Sequence, residues 1–301
     1  MTTSSRFTVN KQAVRDLQSQ TIQRFFKDRL GKLKYFGLPS DEMKDIIDWQ
    51  PFFSRFVAVE RGVPPDGGER QHLLMLNAFR NNVLSKLVLL RGDVDRIILD
   101  GRDEDGNILD YPFDVVTLDY SGGLLYRDTK GQQYRLAAIR ELVCKQARHK
   151  LGYLLFISSN LDNCKDAEVE KTLQNIKTEL LRYGVIGDEV ISAYLHHDNY
   201  EPRLKIYVPY FVNQVASGVN YNCDTEHTIF YLGNQDVRMM NFRFCLTYDP
   251  RTTAPRFPRE RLAQIINSSM VEIKGGKCSE TNLGLPNLKK LMIDLEKSKV
   301  Q

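Results

Sequence analysis

The sequence predicts an α/β protein built on a doubly wound, mostly parallel sheet, with an antiparallel hairpin toward the C-terminus and a helical extension at the N-terminus. Three observations carry this. The runs LKYFGL, RFVAVE, KLVLLRGD, FDVVTLD and YLLFISS are each about the length of a buried strand and alternate with longer helix-like segments. After Ser159 the alternation stops, and HTIFYLG and MMNFRFCLTYD flank the turn residues GNQD. Upstream of the first run, Val14, Leu17, Ile22, Phe25, Phe26 and Leu30 recur near helical spacing, with Gly31 as a stop.

Taken in order, residues 1–31 are expected to be a polar tail and a helix packed on the adjoining domain, residues 32–250 the α/β domain itself, and residues 251–301 a basic extension with a terminal helix. Within the domain, GGERQHLLMLNAFRNNVLS and YRLAAIRELVCKQARHK read as crossover helices between parallel strands. The helix DAEVEKTLQNIKTELLRYG leads to the apolar stretch RLKIYVPYF and then to the hairpin. The glycines, lysines and proline of VEIKGGKCSETNLGLPN suggest a loop before the last helix.

The bulk numbers exclude several classes. With 301 residues, 42% hydrophobic and 27% charged, the chain has ordinary globular composition and the size of an enzyme domain. Neither MTTSSRFTVNK nor any later stretch has the apolar length of a signal peptide or membrane span, so a cytoplasmic protein with no membrane partner is expected. The five cysteines form no C-x-x-C pair and are expected to be free thiols. A net charge of +4 permits nucleic-acid contact without marking a dedicated binding module. No strand is followed by G-x-G-x-x-G and no G-x-x-x-x-G-K-[ST] occurs, which argues against nicotinamide and P-loop enzymes.

In open parallel sheets, ligands bind beyond the carboxyl ends of the strands. Here the first run ends at Gly37-Leu38-Pro39, the second at Glu60, the third at Gly92-Asp93 and the fourth at Asp119-Tyr120-Ser121-Gly122-Gly123. Acids thus end three consecutive strands. Unpaired carboxylates are costly to bury, so such acids are solvated, cap the next helix, or match a ligand's donors.

This order and spacing resembles the class I S-adenosylmethionine-dependent methyltransferases, a Rossmann-like family, over roughly Leu33 to Leu246. The resemblance implies S-adenosylmethionine as cofactor, with Gly37 at the first loop, Glu60 on the ribose hydroxyls, Asp93 on the adenine amine (Asp95 if the strand runs further) and Ser121 beside the ligand. LDYSGG is similar to the Asp-Pro-aromatic-Gly motif of guanine-N2 tRNA methyltransferases, with Tyr120-Ser121 where Pro-aromatic would stand. Asp119 and Tyr120 are then the catalytic candidates, Asp119 accepting hydrogen bonds from an amine and Tyr120 stacking on a planar substrate. The first loop departs from the family pattern: YFGLPSDEM supplies only Gly37, and its proline removes a backbone donor. Two readings are open, a methyltransferase acting on an acceptor such as RNA, and a catalytically degenerate subunit serving as a protein partner in a complex.

Other constellations carry less. His196, His197 and Asp198 are adjacent ligand types with no further cluster, and no metal site is expected. Arg70, His72 and Arg80 read as a solvated helix face or phosphate contacts. Arg256, Arg259, Arg261, Lys274, Lys277, Lys289 and Lys290 make the C-terminal region the expected contact for RNA.

Overall fold

The computed structural model describes residues 8–40, 42–61, 67–125, 134–161, 167–182, 191–192, 195–196, 200–251, 265 and 270–281. Its strands are β1 (Leu33–Gly37), β2 (Phe53–Glu60), β3 (Leu87–Arg91), β4 (Val115–Gly123), β5 (Tyr153–Asn160), β6 (Tyr221–Thr225), β7 (Thr228–Leu232), β8 (Arg238–Tyr248), β9 (Met270–Lys274) and β10 (Lys277–Thr281). Its helices are α1 (Val9–Phe26), α2 (Lys44–Trp49), α3 (Gly67–Arg80), α4 (Val94–Asp100), α5 (Tyr134–Ala147), α6 (Ala167–Arg182) and α7 (Tyr200–Ser217).

The strands form one sheet in the order β3-β2-β1-β4-β5-β8-β7-β9-β10, with β6 also paired to β8. Strands β1 to β5 are parallel, β8 runs antiparallel to β5, and β6 and β7 pair with successive parts of β8. This is the doubly wound, Rossmann-like arrangement the sequence predicts. The chain winds outward from β1 to β3, then returns to β4 on the other side of β1, which makes the carboxyl ends of β1 and β4 the topological switch point.

Alternation along each strand feeds two cores. Tyr35, Phe56, Val115, Leu154 and Phe156 face α1, α2 and α3, meeting Ile22, Phe26, Ile46, Trp49, Leu74 and Ala78. Phe36, Val57, Val116, Leu155 and Ile157 face the other side, against Ile97, Ile139, Leu142, Ile176 and Val208 from α4 to α7. With both faces covered, the central strands read as continuous apolar runs.

Two expectations are corrected. Residues 270–281 are not a loop: they form the β9–β10 hairpin around Gly275 and Gly276, whose φ of +54° and +77° suits glycine. Because β9 pairs with β7, these residues belong to the main sheet and a boundary at 250 cuts through it. Strand β10 is mostly exposed, so no apolar run marks it. The expected terminal helix lies outside the described residues. RLKIYVPYF is part of α7, a helix buried on most sides and therefore apolar without a stripe.

Candidate active site

The carboxyl ends of β1 to β4 bring the sequence-predicted residues to one edge of the sheet. Gly37 ends β1 between Ala58 of β2 and Thr117 of β4. A Cβ here would collide with the Tyr35 hydroxyl and approach the Thr117 carbonyl to 2.8 Å, so the glycine is required by the tyrosine folded over it. The loop beyond turns without a second glycine. Met43 takes the left-handed conformation instead (φ 51°), its N–H donating to the Ser40 carbonyl at 2.8 Å and its side chain buried beside Ile46 and Trp49. Asp41 lies outside the described residues.

Glu60 is buried at the end of β2, and the only cation within ion-pair range among the described residues is Arg70 of α3, at 3.8 Å. Its backbone carbonyl accepts from Gly92 at 3.1 Å, which ties the ends of β2 and β3 together. Asp93 caps α4: Oδ1 accepts from the N–H groups of Asp95 at 3.0 Å and Arg96 at 3.3 Å. Its Oδ2 stands 3.8 Å from Arg61 Nε.

At the end of β4, successive residues leave in opposite directions. Tyr120 points toward α4 and α5, is 3% exposed, and donates its hydroxyl to Asp95 Oδ1 at 2.8 Å. The Arg135 guanidinium lies 4.6 Å over its ring and also donates to the Gly123 carbonyl. The expectation that Tyr120 stacks on a planar substrate is therefore corrected, because a cation from α5 already covers the ring. Burial, with the neighbouring Asp93 charge, pushes the Asp95 carboxyl from its ordinary 3.8 up to about 6 against the opposing effects of Tyr120, Arg135 and Arg61. A Cβ on Gly122 would stand 3.3 Å from Arg135 Nη1, so this glycine leaves room for the guanidinium. Ser121 continues the β4 backbone; its side chain lies outside the described residues.

Asp119 points the other way, toward α1. It is half-buried, and among the described residues its carboxylate has neither a hydrogen-bond donor nor a salt-bridge partner. It lines a cavity of about 30 Å³ with Lys11, Val14, Arg15, Gln18, Asp45, Thr117, Ser158 and Tyr231. Arg15 Nε donates to Asp45 Oδ1 and Nη1 donates to Gln12 Oε1 at 2.8 Å. Burial raises the Asp45 carboxyl and Asp119 adds to this, while Arg15 opposes it. The sequence reading missed Arg15, Asp45, Thr117, Ser158 and Tyr231. Thr117 was within reach, since it lies two residues before Asp119 on the same strand and so on the same face.

His197, Asp198, Arg256, Arg259, Arg261, Lys289 and Lys290 lie outside the described residues. Lys274 pairs with Glu272 at 2.9 Å on β9. Among the described residues no group of three or more His, Cys, Asp or Glu could hold a metal ion, and no helix is long and apolar enough to cross a membrane.

Neither a family model nor a curated protein matches the sequence. Solved structures are similar. The O-methyltransferase TomG from Streptomyces achromogenes, in complex with SAM, is 10% identical over 80% of this chain and 81% of that chain, with a TM-score of 0.41. An O-methyltransferase from Bacillus cereus in complex with SAH is 11% identical over 81% and 93% of the two chains, also at 0.41. The N-methyltransferase NodS from Bradyrhizobium japonicum WM9 is 13% identical over 78% and 97%, again at 0.41.

Proposed function

We propose that this chain is an S-adenosylmethionine-dependent methyltransferase acting on a nitrogen acceptor, with Asp119 as the acceptor-side carboxylate. The observation that carries the reading is Asp119 itself: an acid at the carboxyl end of β4, beside the switch point, half-buried yet with no partner among the described residues. A carboxylate held so without compensation is costly, and its place beside the ligand crevice explains its retention.

The residues present suit the cofactor on its nucleoside side. Among the described residues Glu60 has only a distant Arg70, which leaves carboxylate lone pairs for two neighbouring hydroxyls. Asp93 spends Oδ1 on the α4 cap, and Oδ2, with Arg61 Nε at 3.8 Å, has lone-pair capacity left for an amine. When bound, the cofactor supplies an already activated methyl group, so the protein's task is alignment and charge. Asp119 accepts the acceptor's N–H, orients its lone pair and takes up the proton that the nitrogen gives up on forming its new bond to carbon. A base amine of RNA is an acceptor of this kind, with the basic residues beyond 250 as contacts for its phosphates.

The non-catalytic subunit reading has one observation in its favour, the single glycine of the first loop with Tyr35 folded over it. Titration calorimetry with S-adenosylmethionine and S-adenosylhomocysteine separates the two. The wild type should bind both, and Glu60→Ala should weaken binding more than tenfold, about 1.5–3 kcal/mol. A folded wild-type protein that binds neither would replace the enzyme by the interaction subunit.

A further inference from the structure

Strands β6 and β7 share β8 with a slip of register between them. Thr225 pairs with Phe244 and Ile229 with Asn241, so three residues, Glu226 to Thr228, stand opposite two. Such a bulge re-aims the side chains beside it, and this one turns Glu226 to the C-terminal half of α1. There Glu226 meets Arg24, Arg243 at 2.9 Å and the Thr21 hydroxyl at 2.9 Å. Together with Leu17 and Gln20 they line a cavity of about 350 Å³, with Arg24 69% exposed at its rim.

This ion group does not close on itself. Among the described residues Glu226 is the only acid of the lining, and it faces two guanidinium groups. Both its oxygens are taken, Oε1 by Arg24 and Oε2 by Arg243 and Thr21. The Arg243 side chain is 7% exposed; its Nη1 serves Glu226 and donates to Thr21 Oγ1 at 3.2 Å, and its Nη2 donates to the His227 carbonyl at 3.3 Å. Its Nε is buried with no acceptor among the described residues. An ion pair that served only to pin α1 would close with one arginine and leave no buried N–H unmet. Burial, with the Arg24 charge added, pushes the Arg243 guanidinium down to about 10, as befits a site short of negative charge. Two cations against one acid leave a single positive charge, and the unspent capacity of the buried guanidinium is all donor.

We propose that this cavity is a second ligand site, that it takes the carboxylate of a small organic acid, and that Arg243 and Arg24 hold that carboxylate. A guanidinium receives a carboxylate through two neighbouring N–H groups, and Nε is one member of such a pair. One carboxylate balances the surplus charge, whereas a phosphate monoester, at about −1.5 to −2, would be left facing Glu226. Leu17 offers the body of the acid an apolar wall. The site is independent of the methyltransferase reading, since it lies along Leu17 to Arg24 of α1 while Lys11 to Gln18 line the Asp119 cavity.

Benzoate is the probe and benzamide its uncharged counterpart. In isotope-labelled protein the Arg243 Nε–H resonance, identified by its loss in Arg243→Lys, should shift saturably with benzoate and stay in place with benzamide. Titration calorimetry should show benzoate binding weakened at least tenfold in Arg24→Met, where an exposed side chain is changed. It should be strengthened at least tenfold in Glu226→Gln, where the internal carboxylate no longer competes. An Arg243 resonance that does not move, or that moves equally with benzamide, overturns the proposal, as does unchanged benzoate affinity in Arg24→Met. Tighter binding of dimethyl phosphate than of benzoate overturns the carboxylate assignment. Should Glu226→Gln or Arg243→Lys not fold, the Arg24→Met comparison decides alone.

Discussion

Asp119 and Tyr120 are neighbours in the chain and opposites in the fold. On the Tyr120 side, a buried acid, Asp95, receives a phenol hydrogen bond at 2.8 Å and has Arg135 at 4.0 Å. On the Asp119 side, a less buried acid has no such partner among the described residues, while Thr117, two residues before it on the same face, turns its hydroxyl to that of Tyr35. One side is finished as protein interior, the other is left with unmet hydrogen-bonding capacity. The difference teaches where to look for a ligand: buried polarity that the chain already satisfies is structure, and buried polarity that it leaves open is a receptor.

The contrast is sharpest in turnover. Asp119→Asn keeps the shape but removes the charge that orients an amine, so single-turnover methyl transfer should fall about 100-fold or more while S-adenosylhomocysteine affinity stays unchanged. Wild-type transfer by this variant would make both sides of β4 structural. The opposite side should speak through stability and pH. Unfolded Asp95 ionises near 3.8 and folded Asp95 near about 6, so between those values the unfolded chain releases a proton that the folded chain keeps. Stability from this group is fully present below the lower value and is lost as pH rises through the upper one, a difference of about 3 kcal/mol. Urea unfolding of wild type and Asp95→Asn across this window should show that loss in the wild type only.

Smaller effects divide the same way. Tyr120→Phe leaves Asp95 without its hydroxyl donor and should cost about 1–2 kcal/mol in denaturant unfolding without changing turnover. Thr117→Val removes the hydroxyl that meets Tyr35 and leaves that buried phenol without it. It should cost about 0.5–1.5 kcal/mol in denaturant unfolding and leave S-adenosylhomocysteine affinity unchanged, and an unchanged or raised stability would show that the two hydroxyls do not pair.

Much of this was legible in the sequence, for identifiable reasons. Central strands covered on both faces must be apolar throughout, so LKYFG and VVTLD announce themselves, and Glu60 and Asp119 mark where the runs stop. The β9–β10 hairpin was illegible because β10 is mostly exposed, and α7 because a helix buried on most sides has no polar stripe to give its period. The capping role of Asp93 was one of the alternatives that the strand-end position leaves open. The pairing of Tyr120 with Asp95, 25 residues away, and the docking of Arg15 at Asp45 depend on how separate elements meet, which local pattern does not encode. A charged residue on a helix reads as solvated until its partner element is known.

The composition of the surface under α1 also sets an order of events during synthesis. The first half of that helix rests on Thr117, Asp119, Ser158, Ile229, Tyr231 and Ile273, all contributed by strands that follow it in the chain by some ninety residues or more. The helix therefore emerges well before its seat exists, and it must wait through the slow long-range strand pairing that builds it. In every nascent chain that seat, apolar and polar alike, is assembled before α1 can cover it.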